Sequence, residues 1–127
     1  MGKYSTWLQK AKDDLKWTRH NIEGGFYLEA GFTAQQSIEK ALKYYLLSQG
    51  KRLRKIHDLT ILLQDCMIID KEFEQFIEQS AKITFYYIES RYPEILPTGT
   101  VSKSEVESTY AYAKRIISFV SERALHD

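Results

Sequence analysis

Apolar residues return at intervals of three and four along nearly the whole 127-residue chain, and nowhere does a run alternate inward and outward residue by residue. That spacing lays one stripe along a helix and predicts helices throughout. Leu8, Ala11, Leu15, Thr18 and Ile22 form the first stripe, giving helix one from about Thr6 to Glu23. Thr6 and Gln9 have capping-box spacing, and Gly24-Gly25 stops the helix. Helix two is expected from Tyr27 to Ser48, closed by Gly50. One edge of it is small, with Ala30, Ala34, Ser37 and Ala41 in register, which lets a neighbouring helix approach closely. Ile38, Leu42, Tyr45 and Leu46 flank that edge and mark helix two as the central one.

Asp58 is placed to cap a short third helix carrying Leu59, Leu62 and Leu63. Asp70 caps a fourth, with Phe73, Phe76, Ile77, Ala81, Thr84 and Ile88 as its expected core face. That helix is expected to end near Arg91-Tyr92, because Pro93 disfavours the α conformation at the residue before it. Pro93, Pro97 and Gly99 then make Tyr92 to Val101 a loop. Ser102 and Glu105 form a capping box for helix five, whose stripe is Val106, Tyr110, Ala113, Ile117 and Val120. No repeat or linker interrupts the series. The expected fold is therefore all-α, a single up-and-down bundle of about five helices over residues 1–127.

Charge narrows the functional classes. Eighteen Lys and Arg stand against seventeen Asp and Glu, so no global field draws nucleic acid or acidic membranes, and any such attraction must be local. Apolar runs such as Ile61-Leu62-Leu63 and Met67-Ile68-Ile69 fall far short of the ~20 residues that cross a bilayer. Met1-Gly2-Lys3-Tyr4-Ser5 leads into a polar segment with no apolar leader, and no membrane association is expected. The one cysteine, Cys66, forms no internal disulfide and fits a cytoplasmic setting; its place in an apolar run marks it as a buried thiol.

Candidate chemistry is sparse. His20, His57 and His126 are far apart and lack ligand spacing, so neither metal nor cofactor is expected. Gly24-Gly25 lacks the following Lys-Ser/Thr of a phosphate loop. The connector Lys51-Arg52-Leu53-Arg54-Lys55 stands out, with His57 two residues on. Guanidinium groups grip phosphate while an imidazole moves protons near neutral pH. Equally, such a connector can be a solvated loop that complements the negative C-terminus of helix two, and His57 a group at the start of helix three. Tyr44-Tyr45, Tyr86-Tyr87, Tyr92, Tyr110 and Tyr112 can stack on bases, but at helical spacing they read as core or as homodimer surface.

Several segments resemble the HEPN family (higher eukaryote and prokaryote nucleotide-binding). Trp7-Leu8-Gln9-Lys10-Ala11 with Asp13-Asp14-Leu15 is similar to the start of that domain, and Ala34-Gln35-Gln36-Ser37-Ile38-Glu39-Lys40-Ala41-Leu42-Lys43 to its second helix. His57-Asp58-Leu59 resembles the opening of its third helix and Arg91-Tyr92-Pro93 the turn after its fourth. The resemblance implies a helical bundle that usually dimerises and often works with a minimal nucleotidyltransferase, in some cases as part of a toxin–antitoxin-like two-gene system. Catalytic relatives are metal-independent ribonucleases with Arg, four to six residues, then His, placed late in the chain. Here Arg91 has no His nearby, while Arg52 and His57 meet the spacing in a different place. The resemblance therefore implies a nucleotide-binding or partner-binding homodimer, with a ligand site drawn from Lys40, Lys43, His57, Asp58, Arg91 and Tyr92. The alternatives are an endoribonuclease acting on RNA through Arg52 and His57, and a structural dimer without ligand.

Overall fold

A computed structural model describes residues 4–84 and 101–124 of the chain. Its elements are α1 (Ser5–Glu23), α2 (Tyr27–Ser48), α3 (Leu59–Ile69), a 3-10 segment (Lys71–Phe76), α4 (Ile77–Ile83) and α5 (Lys103–Arg123). No strand occurs among the described residues. The long helices α1, α2 and α5 pack on one another, while α3 closes the remaining side of α2 and joins α4 through the 3-10 segment.

The small edge of α2 explains its central place. Ala30, Ala34, Ser37 and Ala41 are buried, so the neighbouring backbones can approach along the line they form. Ile38, Leu42, Tyr45 and Leu46 are buried beside them. Tyr45, Phe73, Phe76, Tyr112 and Phe119 make an aromatic cluster, with ring centroids 4.6 Å apart for Tyr45–Phe73 and 5.0 Å for Phe73–Phe119. The buried serine and threonine hydroxyls are satisfied. Thr18 Oγ1 donates to the Asp14 carbonyl at 2.9 Å and lies 2.8 Å from Thr33 Oγ1 on α2.

The exits of α1 and α2 each use a left-handed glycine. After α1, Gly25 has φ +82°, its N–H donates to Ile22 O, and that of Phe26 to Asn21 O. After α2, Gly50 has φ +79°, with Gly50 N–H donating to Leu47 O and Lys51 N–H to Leu46 O. These paired bonds close the last turn and fix the direction in which the chain leaves. The second of them launches the basic connector.

Three local expectations need correction. Helix one starts at Ser5, capped by no side chain, and Gln9 Nε2 donates to Asp13 Oδ1 at 3.0 Å; Thr6 and Gln9 form no capping box. The segment expected as one α-helix after Asp70 begins as 3-10. Because that form turns about 120° per residue, its inward face advances ahead of an α pattern. Phe73, Phe76, Ser80 and Ile83 are buried, Ala81 is exposed, and Ile77 and Thr84 are half-buried. On α5, Tyr110 is half-buried beneath the cations of Arg19 and Lys114, while Thr109, Tyr112 and Ile116 join the core. The capping box of Ser102 and Glu105 forms as expected. Ile88, Arg91, Tyr92 and the loop to residue 100 lie outside the described residues.

Candidate functional site

The site grows from one face of α2. Gln35, Glu39 and Lys43 recur every four residues, so their side chains stack along a single line. The buried Gln35 uses Nε2 to donate to the His57 carbonyl at 3.2 Å, tying the end of the connector to α2. Asp58 then caps α3, its Oδ1 accepting from Thr60 N–H at 2.9 Å and from Thr60 Oγ1 at 2.6 Å. Leu59 N–H donates to Thr84 Oγ1 at 3.1 Å, anchoring the same turn to the end of α4.

Held in this way, the His57 ring lies over Glu39. His57 Nδ1 is 3.1 Å from Glu39 Oε1, and Lys43 Nζ donates to Glu39 Oε2 at 3.0 Å. An ionised carboxylate only accepts, so Nδ1 carries the proton and Nε2 is left as the outer nitrogen. The Lys43 and Glu39 side chains are 7% and 12% exposed, against 73% for His57. The arrangement is a sheltered ion pair with a solvent-facing imidazole attached. Lys40 is spent elsewhere, 2.5 Å from Asp14 on α1.

The basic connector divides into two parts. Arg54 Nη1 donates to both oxygens of Asp65, at 3.0 and 2.8 Å. Among the described residues, Lys51, Arg52 and Lys55 are exposed and have no ion-pair partner. Lys51, Arg52 and Arg54 line a shallow groove of about 340 Å³ with Leu46, Asp65 and Ile68. Ile68 is 82% exposed and Leu53 39%. Arg52 thus borders an apolar groove while His57 turns to Glu39, and no hydrogen bond or ion pair joins them.

A family model for the HEPN domain matches residues 4–123. The chain belongs to the HEPN family. The fold is also that of a solved Thermus thermophilus protein, 30% identical, with TM-score 0.82 over 96% of this chain and 98% of that one. An archaeal HEPN homologue is 26% identical with TM-score 0.78, covering 97% and 98%. A HEPN domain protein from Thermotoga maritima is 26% identical with TM-score 0.74, covering 92% and 95%. No curated protein matches.

In this HEPN chain, the sequence-derived site residues separate. His57 and Lys43 meet through Glu39, Asp58 serves as a helix cap, Lys40 faces α1, and Arg91 and Tyr92 lie outside the described residues. Glu39 and Gln35 were not singled out from sequence as site residues. The signal for them was the four-residue period with Lys43, Glu preceding Lys in the favoured order. Among the described residues no group of His, Cys, Asp and Glu is arranged to hold a metal. Cys66 is fully buried, and burial pushes its thiol pKa up, away from the reactive thiolate. No helix among the described residues is long and apolar enough to cross a membrane.

Proposed function

We propose that this HEPN protein is a non-catalytic, homodimeric partner-binding module whose connector and α3 dock a minimal nucleotidyltransferase. One observation carries the reading: Ile68, the most exposed large apolar side chain described, lines a groove with Lys51 and Arg52, two cations that have no ion-pair partner among the described residues. At the expected nucleotide site, the two lysines among the described residues are paired, Lys40 with Asp14 and Lys43 with Glu39. An apolar anchor rimmed by positive charge suits a protein surface that presents an apolar recess among carboxylates. Such complementarity speeds encounter and fixes orientation, while burial of Ile68 holds the complex together.

The ribonuclease alternative needs Arg52 and His57 on one phosphate, whereas Arg52 borders the groove and His57 lies against Glu39. A nucleotide or RNA ligand remains the second reading, because unpaired cations attract phosphate as readily as carboxylate.

Co-expression with a minimal nucleotidyltransferase from the same genome tests the proposal, in a two-gene, toxin–antitoxin-like arrangement where one exists. The two proteins are expected to elute together, and Ile68→Asp to weaken the complex at least tenfold. Separate elution of the wild-type pair would overturn the reading. Chelator-resistant RNA cleavage abolished by His57→Ala would establish the ribonuclease. Nucleotide binding that survives Ile68→Asp but is lost in Arg52→Gln would establish the second reading.

A further inference from the structure

We propose that the outer face of α1 is the surface through which two copies of this chain pair, running antiparallel about a twofold axis that passes between Lys16 and Trp17. The inference rests on the homodimer of the preceding section only for the existence of a dimer. It concerns a face remote in the packing order from the partner surface, since α1 packs on α2 and α5, and α3 on α2, α4 and the 3-10 segment.

The first observation is Trp17, 59% exposed in the middle of α1. An indole is the largest apolar surface a residue can offer, and such residues dominate the energetics of protein interfaces. It is held in place: the His20 ring stands edge-on to it, with centroids 5.7 Å apart and planes at 86°. Together with Asp13 and Lys16, these two rings line an open depression of about 480 Å³. The inward stripe of α1 is already spent, with Ala11, Thr18 and Ile22 buried, so the depression belongs to the other side of the helix, which stays open among the described residues.

The charge order selects the occupant. At ~100° per residue, Asp13 and His20 fall within about 20° of each other on the helix, two turns apart, with Trp17 between them. A twofold axis at the midpoint of positions 16 and 17 reverses the height and keeps the side. It therefore sets Asp13 against His20 of the partner subunit, His20 against the partner's Asp13, and Trp17 beside the partner's Trp17. A parallel pairing would instead put Asp13 against Asp13. Asp13 Oδ1 accepts from Gln9 at 3.0 Å, which leaves Oδ2 for the new bond. An imidazole N–H can donate to that oxygen whether or not the ring is charged. The two Lys16 side chains lie at the rim, their stems along the indoles and their ammonium groups in water. The contact is isologous, the form that closes a dimer without further growth.

Sedimentation velocity on the full chain tests this. The wild-type protein is expected near twice 14.9 kDa at micromolar concentration. Trp17→Ala is expected to raise the dimer dissociation constant at least thirtyfold with an unchanged far-ultraviolet helical spectrum. Asp13→His and His20→Asp, each alone, are expected to weaken the dimer, and the double exchange to restore it. A wild-type monomer would overturn both this surface and the homodimer. A dimer indifferent to Trp17→Ala would overturn the surface and leave the homodimer standing. Loss of the dimer in Trp17→Ala without rescue by the double exchange would overturn the antiparallel register.

Discussion

Tyr112 illustrates how one residue settles the junction between α5 and the turn before α4. Its hydroxyl donates to the Phe76 carbonyl at 2.6 Å and lies 3.0 Å from Ser80 Oγ, all of it buried. Ring burial penalises the phenolate, and the phenol pKa is pushed up to about 12. The sign of the linkage follows. Between the ordinary value of ~10 and the folded value, the unfolded chain has released the proton while the folded chain keeps it. Stability is therefore full below pH ~10 and falls toward pH ~12, by at most roughly 1.4 kcal/mol per pH unit from this group. Tyr112→Phe is expected to lose about 1–2 kcal/mol at neutral pH, because the hydroxyl's buried partners are left unmet. It is also expected to flatten the alkaline part of the curve. Urea melts of both proteins from pH 8 to 11.5 check this, and parallel curves would refute it.

At the level of elements, α2 decides the architecture through what it lacks. Ala34 and Ala41 have no exposed surface, so a larger side chain must push a neighbouring helix away. Ala34→Leu and Ala41→Leu are each expected to destabilise by about 1–3 kcal/mol, read as a lower urea midpoint at unchanged slope. The bounds of α2 were readable in sequence because the small stripe and Gly50 are local signals, and Asp58 and Ser102 announce α3 and α5 in the same way. The 3-10 turn was not readable. Its phase change moves burial from Ala81 to Ser80 and Ile83, and it is stabilised from outside, by Arg123 of α5 bonding both Asp70 and Glu72. The site was half legible for a similar reason. His57 and Lys43 stand out as residue types, but Glu39 between them acquires meaning only once Gln35 and Asp58 have fixed the connector's end over α2. The cations of the connector were visible in sequence, whereas the division between a neutralised Arg54 and an unpaired Arg52 depends on where α3 places Asp65.

Across the whole molecule, α2 separates two surfaces that differ in chemistry. The α1 side offers Trp17 within a self-complementary order of charges, and the α3 side offers Ile68 beside Lys51 and Arg52, which have no ion-pair partner among the described residues. A charged surface that pairs with itself must carry both signs, whereas an excess of one sign repels its own copy and selects a different partner. If both proposals hold, each protomer in a dimer keeps its own partner site, and the assembly contains two of each protein. Light scattering of the complex is then expected to give a two-to-two mass. Trp17→Ala is expected to reduce it to one-to-one while leaving the affinity of each chain for the nucleotidyltransferase within about twofold, since the two depressions share no lining residue. Ile68→Asp is expected to do the reverse, leaving a bare dimer. A complex in which Trp17→Ala also abolishes partner binding would show that the two faces act as one, with the partner bridging both protomers.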